Sequence, residues 1–180
     1  MKYMMLGTYR TPSFVRVTLG CSATFLVLFW LTNALMYFRS MGFDPQSVVA
    51  HYRGSEELFT MPRTYGTMLE VTHAHLAMMS LVLLLVTHLA LFFPWPLRLR
   101  LALVGGAFGG ALLGEASGWL VRFVDPGFAW LKIAGFLILQ TSLGILLLGL
   151  LWVLRGGVPT ALPKPSPSRS SPPIGRSPQV

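Results

Sequence analysis

Residues 69–93 read LEVTHAHLAMMSLVLLLVTHLALFF. A run this apolar has no ordinary place for three histidines, two of them one residue apart. Its length decides the fold, because a membrane span needs roughly 20 mostly apolar residues to cross about 30 Å of hydrocarbon. Three further stretches of the 180-residue chain qualify, at about 12–37, 101–121 and 128–154. Apolar residues make up 53% of the chain and charged residues 11%, a balance more apolar than a soluble domain carries. No stretch alternates apolar and polar residues as barrel strands do. The expected fold class is therefore an all-α membrane protein, a four-helix transmembrane bundle over 1–155. Its backbone polar groups are satisfied inside each helix.

Lys2, Arg10 and Arg16 precede a first apolar run too long for the core of a signal peptide, so that run reads as an uncleaved span. The single cysteine, Cys21, excludes an intrachain disulfide and a cysteine-cluster metal site. The net charge is +8, and its distribution sets the topology. With alternating spans, Lys2, Arg10, Arg16, Arg98, Arg100, Arg155, Lys164, Arg169 and Arg176 share one side. The other side carries Arg39, Arg53, Arg63 and Arg122 beside Asp44, Glu56, Glu57 and Asp125. The positive-inside rule puts both termini in the cytoplasm. The excess charge then serves topology and attraction to anionic lipid, not nucleic acid.

The longest connection, 38–68, is expected outside. Asp44-Pro45 can cap and open a short helix through about Tyr52, and Gly54, Pro62 and Gly66 interrupt any regular structure beyond it. FPWPLRLR (93–100) and RFVDPG (122–127) read as tight turns. Tyr9, Tyr37, Trp95, Trp130 and Trp152 fall at interface depth, as an aromatic belt would. From 156 to 180, Pro, Ser and Arg dominate, and a disordered or polyproline-like cytoplasmic tail is expected.

On a helix, Glu70, His73, Ala77, Leu81, Leu84 and His88 share one face, while His75 points nearly opposite to His73. His73 and His88 stand about 22 Å apart along the axis. Two histidines near opposite membrane surfaces suit a b-type cytochrome helix, and ionisable residues inside a span are functional hypotheses. Two bis-histidine haems need four histidines, and the fourth, His51, lies in the connection. A haem would therefore need a symmetric dimer, ligands from a partner subunit, or a His/Met or five-coordinate site. The alternative is that these histidines only hydrogen-bond neighbouring helices. His-Ala-His on a helix diverges, which disfavours a two-histidine metal site.

The third span carries Gly106, Gly110, Gly114 and Gly118 at four-residue intervals, a stripe that lets another backbone or a flat ring approach closely. Glu115, Trp119 and Arg122 share a face near the same end, and Lys132 opens the fourth span. A carboxylate in hydrocarbon must be protonated or paired, so Glu115 requires Lys132, Arg122 or a histidine. The expected site is a quinone head or haem edge, with Arg122 and Lys132 as cations and Glu115 or His75 as proton relay. The alternative is an ion pair that sets helix register.

LEVTHAHL (69–76) and SGWLVRFVDPGFAWLK (117–132) resemble a family of small bacterial four-span membrane proteins that accompany respiratory or multihaem cytochromes. The matching positions are Glu70, His73, His75, Trp119, Arg122, Pro126, Phe128 and Lys132. The resemblance covers roughly 37–154 and implies association with electron transport.

The expected function is an integral subunit of a respiratory or photosynthetic electron-transfer complex that helps bind b-type haem or quinone near the outer face. His73, His75, His88, Glu115, Arg122 and Lys132 are its candidate residues. Other membrane subunits, a cytochrome c, lipid and a second copy are the candidate partners. The alternative is a scaffold subunit with no cofactor. Four spans without an inverted repeat disfavour a transporter, and no hydrolase or phosphate-loop motif is present.

Overall fold

A computed structural model describes residues 13–156. The tail from residue 157, and Lys2, Tyr9 and Arg10, lie outside the described residues. The order is α1 (Ser13–Ser40), α2 (Pro45–Arg53), α3 (Tyr65–Leu89), α4 (Leu97–Phe123) and α5 (Ala129–Leu154). Short 3₁₀ turns at Ala90–Phe92 and Pro126–Phe128 join the last three. Among the described residues four helices are long and apolar enough to span a membrane, namely α1, α3, α4 and α5, and α2 is not one of them.

Local chemistry places the ends. Asp44 caps α2, its Oδ2 accepting from Ser47 N at 3.2 Å, and Pro45 comes next in the first turn. α2 stops at Gly54, whose φ of +81° suits glycine. A β-carbon there would also lie 2.5 Å from Thr60 O. α3 begins four residues before the apolar run suggests, because Thr64 Oγ1 accepts from Thr67 N at 3.2 Å. α4 likewise begins at Leu97, directly after Pro96, so Arg98 and Arg100 belong to its first turn and not to a loop. Asp125 Oδ1 accepts from Gly127 N at 2.7 Å and sets the turn into α5.

α5 is the central helix. In its most apolar stretch 44% of residues are buried, against 11% in α1 and α3. α4 packs along it most extensively, and α1 and α3 also rest on it. The main core joins Leu26, Leu83, Val86, Leu143, Leu146 and Leu150. Outward residues such as Phe25, Leu81, Leu84 and Leu148 are exposed and apolar, which suits a lipid-facing surface. A smaller core forms under α2, where Val48 and Tyr52 meet Met68, Val121 and Ile133. α2 therefore covers one end of the bundle, the end that holds the long connection, hereafter the connector end.

The glycine stripe is a packing device along most of its length. A β-carbon on Gly110 would lie 2.7 Å from Leu139 N, and Gly106 abuts Ser142 of α5. Gly118 instead makes room for the Tyr52 ring, with its hydroxyl 2.9 Å from such a β-carbon. Gly114 is different, since nothing stands where its side chain would be.

Two aromatic residues depart from the interface belt. Tyr37 is buried, stacked on Phe136 with centroids 3.7 Å apart, and donates to Gly42 O at 3.2 Å. Trp95 turns inward against Gly149 and the Phe93 ring, 4.8 Å away between centroids. Trp130 and Trp152 remain exposed.

A polar layer in mid-bundle ties α1 to α5. Trp30 Nε1 donates to Gln140 O at 2.9 Å and Asn33 Nδ2 to Gln140 Oε1 at 3.1 Å. Gln140 Nε2 returns a bond to Trp30 O at 3.3 Å. In hydrocarbon such side chains must find partners on a neighbouring helix, so these three residues fix how α1 sits on α5.

Candidate functional site

α1 and α3 both rest on α5 but scarcely touch each other. Between them runs a cleft of about 630 Å³, floored by α4 and α5 and covered by α2. Met36, Leu76 and Met78 line it and are also exposed, so the cleft opens sideways between α1 and α3. Its deeper part is mostly apolar, with Phe29, Met79, Leu83, Phe108, Ala111 and Leu139. Toward the connector end the lining becomes polar, with His51, Tyr52, Arg63, Thr72, His75, Glu115 and Lys132.

Glu115 is the acidic group of this polar part. It lies eight residues from the end of α4, about 12 Å down. Its partner is a histidine and neither expected cation. His75 Nδ1 donates to Glu115 Oε1 at 2.6 Å. Thr72 Oγ1 donates to the other carboxylate oxygen at 3.2 Å and accepts from Trp119 Nε1 at 2.9 Å. The chain Trp119–Thr72–Glu115–His75 thus holds the carboxylate from both sides. The ring Nε2 of His75 has no protein partner among the described residues, and 48% of its side chain is exposed. A group in the cleft can therefore meet a histidine whose other nitrogen is locked to a carboxylate, an arrangement suited to passing a proton.

Lys132 enters the same cleft from α5. Its Nζ donates to Gly114 O at 2.7 Å and stands 5.6 Å from the Tyr52 ring centroid. Open space adjoins Gly114, where a β-carbon would meet nothing within 4 Å.

The connection supplies residues that periodicity within the spans could not find. Arg63 Nη2 donates to His51 Nε2 at 3.3 Å, and both line the cleft. Burial pulls the His51 pKa down to about 4, helped by the charges of Arg63 and Lys132. His51 is thus neutral near pH 7 and accepts from Arg63. Only the cap at Asp44 hinted that this segment folds back as a helix.

Other candidate residues lie elsewhere. Arg122 does not line the cleft. Its Nε donates to Arg63 O at 2.7 Å and its guanidinium carbon stands 5.0 Å from the Phe123 ring centroid, so it fastens the connection to α4. Arg53 does the same, donating to Val121 O at 2.6 Å. His73 and His88, with Glu70, are exposed on the α3 face turned away from the cleft. Among the described residues the face with His73 and His88 has no second wall, so these residues alone do not hold a haem there; a partner surface would have to supply the wall. Among the described residues no group of three or more His, Cys, Asp or Glu gathers as a metal site.

No curated protein and no solved structure matches the chain. A family model described as a transmembrane helical domain matches residues 42–156, from the connection through the end of α5. That match takes in α2, α3, α4 and α5, hence most of the cleft's polar lining. By this match, over more than half its length, the chain belongs to the Aq_1264_TM family of transmembrane helical domains.

Proposed function

We propose that the chain is an integral membrane subunit of an electron-transfer complex, and that its cleft seats the head of a quinone. One observation carries this proposal: a sideways-opening cleft is mostly apolar in its depth and ends in the His75–Glu115 pair. A membrane-soluble ring with a long apolar tail matches that division, with the tail passing between α1 and α3. A ring oxygen would meet His75 Nε2, while Glu115, itself held by Thr72, keeps the imidazole in place. The b-type haem alternative needs a second chain against His73 and His88. With both termini cytoplasmic by the positive-inside rule, the head site lies near the outer face of a bacterial inner membrane. Other membrane subunits, a cytochrome c or a second copy would then be its redox neighbours. The resemblance to proteins accompanying respiratory cytochromes points the same way.

The exposed α3 face with Glu70, His73 and His88 favours a second reading, a scaffold subunit that docks neighbours and binds no cofactor. Quinone extraction from the detergent-purified chain, with titration of a short-tailed quinone against tryptophan fluorescence, separates the two. Trp119, one residue removed from Glu115 through Thr72, is a suitable reporter. Saturable quenching that weakens in Glu115→Gln supports the quinone site. No extracted quinone and no quenching overturns it and leaves the scaffold.

A further inference from the structure

Lys132 points against the usual direction for a lysine near a helix end. It sits three residues into α5, about 5 Å below the connector end, where a lysine ordinarily extends toward water. Its Nζ instead reaches Gly114 O, nine residues from the end of α4 and so about 13 Å down. One carbonyl and the Tyr52 ring are its contacts there. A cation at that depth requires an opposite charge. Glu115 is the acidic residue of the cleft; its direct ion pair is with His75, and the Lys132 charge acts on it only from a longer distance, so one carboxylate faces the two permanent cations Lys132 and Arg63. Arg63 adds a second cation, bonded to neutral His51. The polar end therefore carries a positive surplus whether His75 is protonated or not.

We propose that this end of the cleft binds the phosphate of an anionic membrane lipid between Lys132 and Arg63, with an acyl chain in the apolar trough below. Phosphate supplies the missing negative charge and the acceptors that an ammonium and a guanidinium require. Membrane lipid is the source because the cleft opens sideways past Met36 and Met78. This site goes beyond the quinone proposal and does not depend on it; the two ligands would compete for one trough.

The test uses the full chain, delipidated in detergent, with thermal unfolding monitored on adding phosphatidylglycerol, phosphatidylcholine or inorganic phosphate. Phosphatidylglycerol is expected to raise the midpoint, and the other two are not. Lys132→Met should weaken the phosphatidylglycerol effect about tenfold or more, as loss of a charge-assisted contact does, while Lys132→Arg keeps most of it. Should Lys132→Met fail to fold, Arg63→Gln makes the same comparison. Equal shifts from the two lipids, or undiminished binding in the folded Lys132→Met or Arg63→Gln protein, overturn the site. A full shift from inorganic phosphate alone overturns the lipid as its occupant. Quinone quenching, measured in phosphatidylcholine alone, reports separately: quenching without a lipid effect removes only this inference, and a lipid effect without quenching removes only the quinone.

Discussion

Gly135 of α5 faces the backbone of Gly114 in α4 so closely that a β-carbon on it would lie 2.8 Å from Gly114 N and 3.2 Å from Gly110 O. The two helices touch through main chain here, and this contact sets the floor of the cleft. Gly135→Val should push α4 off α5 and cost about 1–3 kcal/mol, the usual range for overpacking. Denaturation of the variant in mixed micelles reads the loss. Gly105→Ala, at a position with open space, is the control and should be near neutral.

The His75–Glu115 pair predicts a separation of stability from binding. Glu115→Gln keeps the shape and one acceptor oxygen, enough for His75 or Thr72 but not for both, so stability should fall by about 1–2 kcal/mol. Quinone quenching should weaken at least several-fold. Unchanged quenching with lowered stability would make the pair purely structural.

Trp119 and Thr72 hold the carboxylate from behind. Thr72→Val removes the bond to Glu115 Oε2 and leaves Trp119 Nε1 without its acceptor. The expected cost is about 1–3 kcal/mol, since an indole N–H is stranded. Trp119→Phe removes that donor as well and should, in combination with Thr72→Val, cost less than the sum of the two. A double-mutant cycle by thermal unfolding measures the coupling.

His51 gives the connection a pH dependence. Its pKa in the folded protein, about 4, lies below the ordinary 6.5. The unfolded chain thus binds the proton more readily, and stability falls as pH drops from 6.5 toward 4, then levels off. Arg63, Lys132 and Tyr52 are the groups that face the ring. The half-buried ring is screened by solvent, so the loss should be no more than about 1–2 kcal/mol. His51→Asn should flatten the stability profile between pH 6.5 and 4, measured by thermal unfolding; an unchanged slope would assign it to another group.

Arg122 is predicted to matter for the connection and not for the ligand. Arg122→Gln loses the bond to Arg63 O. Amide exchange over residues 54–64 should quicken several-fold, the opening of one bond worth about 1–1.5 kcal/mol. Quinone quenching should change less than in Glu115→Gln.

Sequence by itself determined the four spans, the capped helix at Asp44-Pro45 and the close helix contact along the glycine stripe. Each comes from local chemistry: apolar length, a capping carboxylate before proline, and small residues at one-turn spacing. It also required a partner for Glu115, because a lone carboxylate cannot stay charged in hydrocarbon. Only the tertiary structure decided which partner. Helical geometry separates His73 from His75 by more than half a turn, but α3 carries both apolar and polar residues on every side, so no amphipathic stripe tells which side faces its neighbours. The packing of Leu83 and Val86 into the core turns His75 to Glu115 and leaves His73 and His88 outside. The folding back of α2 and Arg63, and the inward reach of Lys132, likewise depend on contacts between different segments, such as Arg122 with Arg63, 59 residues apart, and Lys132 with Gly114, 18 apart.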